Sequence, residues 1–257
     1  VNGCDQAPMW VAHINGLDPQ NLRLDPGGAH DFLTTDGLHS TRFWPKMGCD
    51  QNGNHCVLGG SGGPGQSCVV NGDNYSACAP PIDTKFEASF GRQSVPCTQE
   101  SQAGCDFVDM SLVDGWTLPF KLVMQSPWCS RAERIIDCSG LTMDKCPAQE
   151  QLERAGLTAD LRAVEPETET AAGCYSPCSR LSMGKWGNSV LGPRTSPRVS
   201  PYCCPTPPVT PSACRAGPIG NTAFVRAVHE FCPGVYGYSY DDAAGLLQCH
   251  PSTHYEL

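Results

Sequence analysis

Seventeen cysteines stand in this chain of 257 residues, and their spacing decides what chemistry their sulfurs can do. A zinc site needs close pairs such as C-x2-C, matched by a second pair or by histidine. The spacings here are irregular. In chain order the groups are Cys49 and Cys56, then Cys68 and Cys78, then Cys97 and Cys105, then Cys129, Cys138 and Cys146. Cys174 and Cys178 follow, then Cys203, Cys204 and Cys214, and last Cys232 and Cys249. The seven histidines are scattered and none completes a ligand set. Disulfide formation is the chemistry that remains. It implies a secreted or extracellular protein, because a reducing cytosol keeps thiols apart. An odd count leaves one thiol over. No metal and no cofactor is expected. Asn74-Tyr75-Ser76 is a glycosylation sequon in a polar, turn-rich stretch, in keeping with secretion. The glycine run at 59–65 is no phosphate loop, since it lacks Lys-Ser/Thr and a following helix. The acidic run at 165–169 reads as solvated surface.

Charge and composition narrow the partners. The net charge of −9 repels a phosphate backbone and acidic lipid, so no nucleic acid partner is expected. No apolar run approaches the roughly 18 residues of a membrane span. No basic-then-apolar leader precedes Val1, so any targeting segment is expected to have been removed. Glycine (27) and proline (23) are far above ordinary usage, which disfavours a helical bundle and favours short strands joined by many turns. The length permits one large or two small domains.

The elements that must position any site are therefore mostly strands. Met9-Trp10-Val11-Ala12, Leu22 to Leu24, Asp31-Phe32-Leu33 and Thr41-Arg42-Phe43-Trp44 read as short strands, each bounded by Gly, Pro, Asp or Asn. Residues 49–83 have almost no periodicity and must be held by disulfides. The strand pattern returns from Lys85 to Phe90 and from Asp106 to Leu122. In its clearest run Phe107, Asp109, Ser111 and Val113 share one face, with Val108, Met110, Leu112 and Asp114 on the other. Pro147 to Val164 reads as a helix broken at Gly156. A second helix is expected from Thr222 to Phe231, capped by Asn221. Residues 187–213 hold seven prolines and should form an irregular surface excursion. Strand-like sequence resumes at Val235 to Tyr240 and Leu246 to Gln248. The middle of the chain thus reads as helical and loop-like, and the termini are expected to meet in one sheet.

Several segments together resemble the thaumatin-like family, which includes osmotins. They are Val1-Asn2-Gly3-Cys4 followed by Trp10, Arg42-Phe43-Trp44, and Lys85-Phe86-Glu87-Ala88 against the family's Leu-Ala-Glu-Phe strand. Asp109-Met110-Ser111-Leu112-Val113-Asp114-Gly115-Trp116-Thr117-Leu118-Pro119 resembles its Asp-Ile-Ser-Leu-Val-Asp-Gly-Phe-Asn-x-Pro run. Tyr202-Cys203-Cys204 to Cys214, Cys232-Pro233 through Tyr236, and Tyr240-Asp241-Asp242 to Cys249 also match. The resemblance covers nearly the whole chain, with insertions at about 91–105 and 150–200.

It implies a mainly β protein: a flattened antiparallel β-sandwich (1–50, 87–138 and 233–257), a small disulfide loop region (51–86) and a disulfide-stapled helical and loop domain (139–232). It also implies six bridges: Cys49 with Cys56, Cys129 with Cys249, Cys138 with Cys232, Cys146 with Cys174, Cys178 with Cys203, and Cys204 with Cys214. Ser61 stands where the family has a disulfide cysteine, so Cys68 needs another partner, and Cys78 is the nearest. Cys97 and Cys105 fall in an insertion and are expected to close it. That leaves Cys4, whose family partner lies just past a segment like Ser252-Thr253-His254-Tyr255, so the chain is expected to continue beyond Leu257.

The family's hallmark is a cleft lined by one Arg, one Glu and three Asp. The matching positions are Arg42, Glu87, Asp109, Asp114 and Asp241. Four carboxylates around one arginine cannot all ionise freely, and the resulting split between a protonated and an ionised acid is what a glycosidase requires. Carboxylates also accept hydrogen bonds from sugar hydroxyls. Taken alone, Asp114-Gly115 and Asp241-Asp242 equally suit turns. The aromatics Phe43, Trp116, Tyr236 and Tyr240 suit either sugar stacking or core packing. The resemblance thus implies an extracellular protein that binds β-1,3-glucan or a related polysaccharide in defence, with weak endo-hydrolysis in which Glu87 is the general acid and Asp114 or Asp109 the base or nucleophile. A structural or adhesive module with protein partners in an extracellular assembly is the competing expectation, motivated by the Pro-rich stretch.

Overall fold

The computed structural model describes residues 1–257 except 64, 65, 67, 69–77 and 99; the sequon at Asn74 lies outside the described residues. In chain order the first strands are β1 (Met9–Ile14), β2 (Leu22–Leu24), β3 (Thr41–Met47), β4 (Lys85–Ser89) and β5 (Asp106–Ser111). The two-residue β6 (Gly115–Trp116) is followed by β7 (Lys121–Gln125) and β8 (Ile135–Asp137). Next come β9 (Glu150–Leu152), β10 (Leu157–Ala159), β11 (Arg162–Val164) and β12 (Ala171–Tyr175), and the last strands are β13 (Leu247–Cys249) and β14 (His254–Glu256). The helices are short: α1 (Pro177–Ser182), α2 (Ser200–Cys203), α3 (Pro211–Arg215), α4 (Ala223–Phe231) and α5 (Asp242–Gly245).

The largest sheet has six strands in the order β13-β5-β4-β3-β1-β2, all antiparallel. A three-stranded sheet, β14-β7-β8, packs against it. Alternation explains the packing: Phe43, Phe86, Ala88, Val108 and Met110 leave one face of the large sheet and meet Leu122, Met124 and Ile136 from the small one in a single buried cluster. Tyr255 on β14 closes this seam, its hydroxyl donating to Asp106 at 2.8 Å and its ring 5.8 Å from that of Phe86. The architecture is a mainly β, antiparallel sandwich.

Eight disulfides staple the chain. Three close short loops: Cys49 bonds to Cys56, Cys68 to Cys78, and Cys97 to Cys105. Two span long stretches, Cys129 to Cys249 and Cys138 to Cys232. The helical and loop segment holds the last three: Cys146 bonds to Cys174, Cys178 to Cys203, and Cys204 to Cys214. Cys146 thereby ties the segment before β9 to β12, and Cys178 ties α1 to α2. Cys56 is half-buried, whereas Cys146 and Cys178 belong to the main buried cluster. Cys4 is free and half-buried. The segments after Cys138 join the same cluster through Leu152, Leu161, Phe224 and Val228.

Several sequence expectations are corrected. Asp31-Phe32-Leu33 is not a strand, because the Leu33 amide donates to the Asp18 carboxylate at 2.7 Å rather than to a neighbouring strand. Pro147 to Val164 is not a broken helix. It forms the β9–β10 hairpin and β11, with Gly156 in the left-handed region (φ 69°) that closes the turn. Buried Ala159, Leu161 and Ala163 alternate strictly, the strand period rather than the helical one. Helix α4 is capped by Thr222, whose hydroxyl accepts from the Val225 amide, and not by Asn221. Within 187–213 the excursion carries α2 and α3. Val235 to Tyr240 makes only an isolated bridge, Tyr236 to Ser111. The expectation that the two ends of the chain meet in one sheet holds for β1 and β13, which share the six-stranded sheet, while β14 lies in the smaller one; Val1 also donates to the Leu257 carbonyl at 2.7 Å.

Glu150 shows how the helical segment is fixed. Its buried carboxylate accepts from the Ala223 and Phe224 amides at 3.0 and 2.8 Å, satisfying the first donors of α4. Glu150→Ala is expected to cost about 2 kcal/mol in urea unfolding, since two buried donors lose their acceptors. Glu150→Gln, which keeps one acceptor oxygen, is expected to recover part of that loss.

Candidate functional site

Three neighbouring strands build the centre of the site. Pairing sets Arg42 of β3 opposite Glu87 of β4, and Glu87 opposite Asp109 of β5. Because Phe43, Phe86, Val108 and Met110 point into the core, alternation sends Arg42, Glu87 and Asp109 to the other face. Directly opposed residues on antiparallel strands have Cβ atoms about 4.5–5.5 Å apart, so the three groups form one rung across the sheet. Arg42 donates from Nε to Glu87 Oε1 at 2.7 Å, and its Nη2 forms an ion pair with the same oxygen at 2.5 Å.

Asp109 differs in kind. Burial, and next the charge of Glu87, push its carboxyl up to about 7, against the opposing pull of Arg42. Near neutral pH it holds a proton about half the time. The rung therefore offers a proton-bearing acid beside a carboxylate gripped by a guanidinium.

Asp114, just beyond β5, is locked. Lys85 donates to its Oδ2 at 2.8 Å and Arg194 to its Oδ1 at 3.0 Å. Burial favours its protonated form, but the two cations outweigh burial and hold the carboxyl below its ordinary range. With both oxygens bound by cations, Asp114 is a poor candidate for the base or nucleophile expected of it. Lys85 lies two residues before Glu87 and so shares its face.

Asp241 is buried and also committed: its Oδ2 lies 2.7 Å from His229 Nε2 of α4 and accepts from the Gly237 amide at 3.0 Å. It connects to the rung through Tyr236. That phenol is raised by burial first, then by its hydrogen bond to Asp242 and by the fields of Asp242, Asp109 and Asp241. Tyr236 is bound to the edge of β5 by backbone bonds to Met110 and Leu112. It is thus the aromatic side chain placed among the carboxylates.

The other expected aromatics lie elsewhere. Phe43 is buried in the core, 5.2 Å from Phe32 and 6.4 Å from Phe86. Trp116 is 1% exposed and stacks on Phe224 with centroids 5.0 Å apart. Neither can stack on a ligand. Tyr240 is half-buried and donates to Thr206 at 2.8 Å, tying the Pro-rich excursion to the closing segment. Sequence reasoning passed over Lys85, although its alternation with Glu87 was legible. Arg194 and His229 carried no signal, because their partners are remote in the chain.

Lys85 and Arg194 join Arg42 around the expected carboxyls, so three cations stand with Glu87, Asp109, Asp114 and Asp241. A surface cavity of about 540 Å³ lies apart from them, lined by Glu150, Arg154, Tyr202 and Arg226 among others. Its one buried carboxylate, Glu150, is spent on α4. No group of His, Cys, Asp and Glu among the described residues is arranged to hold a metal ion, and no helix among them is long and apolar enough to cross a membrane.

The profile of the thaumatin family matches residues 2–257. Thaumatin-like protein 1 of Pyrus pyrifolia is 28% identical across 100% of this chain and 87% of its own length. Pathogenesis-related protein 5 of Arabidopsis thaliana is 27% identical across 100% of this chain and 86% of its own. A glucan endo-1,3-beta-glucosidase of Prunus avium is 26% identical across 84% of this chain and 69% of its own.

Proposed function

Since the chain belongs to the thaumatin family, we propose that the face carrying Arg42, Glu87 and Asp109 is an extracellular binding cleft for β-1,3-glucan or a related polysaccharide, in a defence role, with slow hydrolysis of the bound chain. The observation that carries this reading is the rung itself, two adjacent carboxyl side chains held in register by strand pairing, one of them, Asp109, raised to about 7 and the other bound by Arg42. The name of the Prunus avium relative supports the choice of glucan. That of the Arabidopsis relative supports the defence role. Eight disulfides support a place outside the cell.

The roles follow from the environments. Asp109, with its carboxyl near 7, is the proton donor to the leaving oxygen. Glu87, gripped at Oε1 by Arg42, is the carboxylate that faces the anomeric carbon or its attacking water. This reverses the expectation that Glu87 is the acid and removes Asp114 from the chemistry. Arg42 positions Glu87 and offers further donors to sugar hydroxyls.

Retention on insoluble β-1,3-glucan with a reducing-sugar assay tests the reading. Wild-type protein is expected to be retained and to release sugar slowly, and Glu87→Gln is expected to cut release about 100-fold while retention persists. Retention without release identifies a binder lacking turnover. Failure of the wild type to be retained overturns the proposal and favours the structural-module alternative.

A further inference from the structure

Beside the rung, one end of the site gathers positive charge in a protein whose net charge is −9. Lys85, Lys185 and Arg194 surround Asp83 and Asp114. Asp83 is fully buried, its carboxyl raised by burial ahead of the opposing field of Lys85, and it accepts from Ser61 at 2.6 Å. Lys85 and Lys185 are themselves buried. Of these three cations only Arg194 presents its charge to solvent, its side chain 49% exposed.

Arg194 is also held in place. It sits in the tight turn from Pro193 to Ser196, closed by the Ser196 amide donating to the Pro193 carbonyl at 2.9 Å. The flanks are tied to the body: Leu191 donates to the Leu181 carbonyl at 2.8 Å, Asn188 to the Arg180 carbonyl at 2.9 Å, and Arg198 Nε to the Ala155 carbonyl at 3.1 Å. One Nη2 donor is used by Asp114, and among the described residues the remaining guanidinium donors have no acceptor. Lys85 stands two residues from Glu87 along β4, about 7 Å away by strand geometry, so the cluster occupies the neighbouring position for a chain lying along that strand.

Resting on the glucan reading above, we propose that Arg194 forms a subsite for an anionic sugar unit, a uronate-type carboxylate, adjoining the neutral subsite at Arg42, Glu87 and Asp109. An unused guanidinium face beside a buried cationic cluster recognises a carboxylate through charge-assisted hydrogen bonds. At the rung the Arg42 guanidinium pairs with Glu87 through Nε, and its remaining donors face the hydroxyls of the neutral unit.

The test compares laminarin with the same glucan oxidised at C6 to carry carboxylates, by calorimetry at low salt. Wild type is expected to bind the oxidised glucan about fivefold more tightly, despite the repulsion its net charge imposes on a polyanion. The advantage should shrink in about 0.5 M salt, as a half-exposed charge pair requires. Arg194→Gln is expected to reduce the ratio of the two affinities to one or below, and Arg194→Lys to keep most of it. A wild-type ratio of one, or an Arg194→Gln ratio equal to that of wild type, overturns the anionic subsite and leaves neutral glucan binding standing. Failure to bind either glucan overturns both readings together.

Discussion

At pH 8.5 the Asp109→Asn protein is expected to be more stable than the wild type by about 3 kcal/mol, whereas at pH 4 or below the two should differ little. The sign follows from proton linkage. Asp109 has its carboxyl raised from 3.8 to about 7 by burial and by Glu87. A raised carboxyl contributes stability while it is protonated in both states, and loses it as pH climbs through the folded value. The full difference of about three pH units corresponds to about 4 kcal/mol, reduced here because the group is not wholly enclosed and Arg42 lies close. The loss accumulates between about pH 4 and pH 8. Urea unfolding of both proteins at pH 4, 6 and 8.5 checks it: parallel curves at all three would show that Asp109 titrates ordinarily. The same substitution removes the proposed proton donor, so a gain in stability should coincide with a loss of sugar release. Such opposition is expected where a site is built against the preference of the fold.

Breaking the bridge between Cys129 and Cys249 should cost more. It spans the longest stretch of chain of the eight, with a sequence separation of 120. The nested bridge from Cys138 to Cys232 shortcuts that stretch, so the loop actually closed is about 27 residues and the chain-entropy estimate is about 3.5 kcal/mol. This is a large part of the stability of many domains. Both cysteines are buried and belong to the main core cluster, so the paired change to alanine also removes packed sulfur. Cys129→Ala combined with Cys249→Ala is expected to shift the urea midpoint far below that of wild type or to prevent recovery of folded protein. Cys97→Ala combined with Cys105→Ala, which opens a bridge of separation 8 within an insertion, is the contrast. Its loss should be the smaller, and equal losses for both pairs would contradict the loop-length argument.

What could be read from the chain follows from range. The run from Phe107 to Asp114 announces its two faces by alternation alone, and β5 places Val108 and Met110 in the core with Asp109 opposite. The same logic applies to Phe86, Glu87 and Ala88. Between Pro147 and Val164 the apolar residues fit both periods, because strands of three residues are too short for either pattern to dominate. There the turn conformation of Gly156 decided, a property of the folded backbone. Trp116 gave no indication of its face, since β6 has only two residues. The ion pair of Arg194 with Asp114 joins positions 80 apart, and no local pattern encodes it. The resemblance supplied the remote cysteine pairings, such as Cys146 with Cys174 and Cys178 with Cys203, which spacing alone leaves among many possibilities. Cys97 and Cys105 are the opposite case, neighbours that close a short insertion.

Arg42, Glu87 and Asp109 each come from a different strand, and each has core residues as immediate neighbours. Sliding β4 by one position would turn Glu87 inward and Phe86 outward, and a slip of β3 or β5 would do the same to Arg42 or Asp109. A misaligned molecule would thus be unable to mature and unable to act for one and the same reason. Quality control of the folded product and assembly of its working groups are a single event, and molecules that survive it should be uniformly competent.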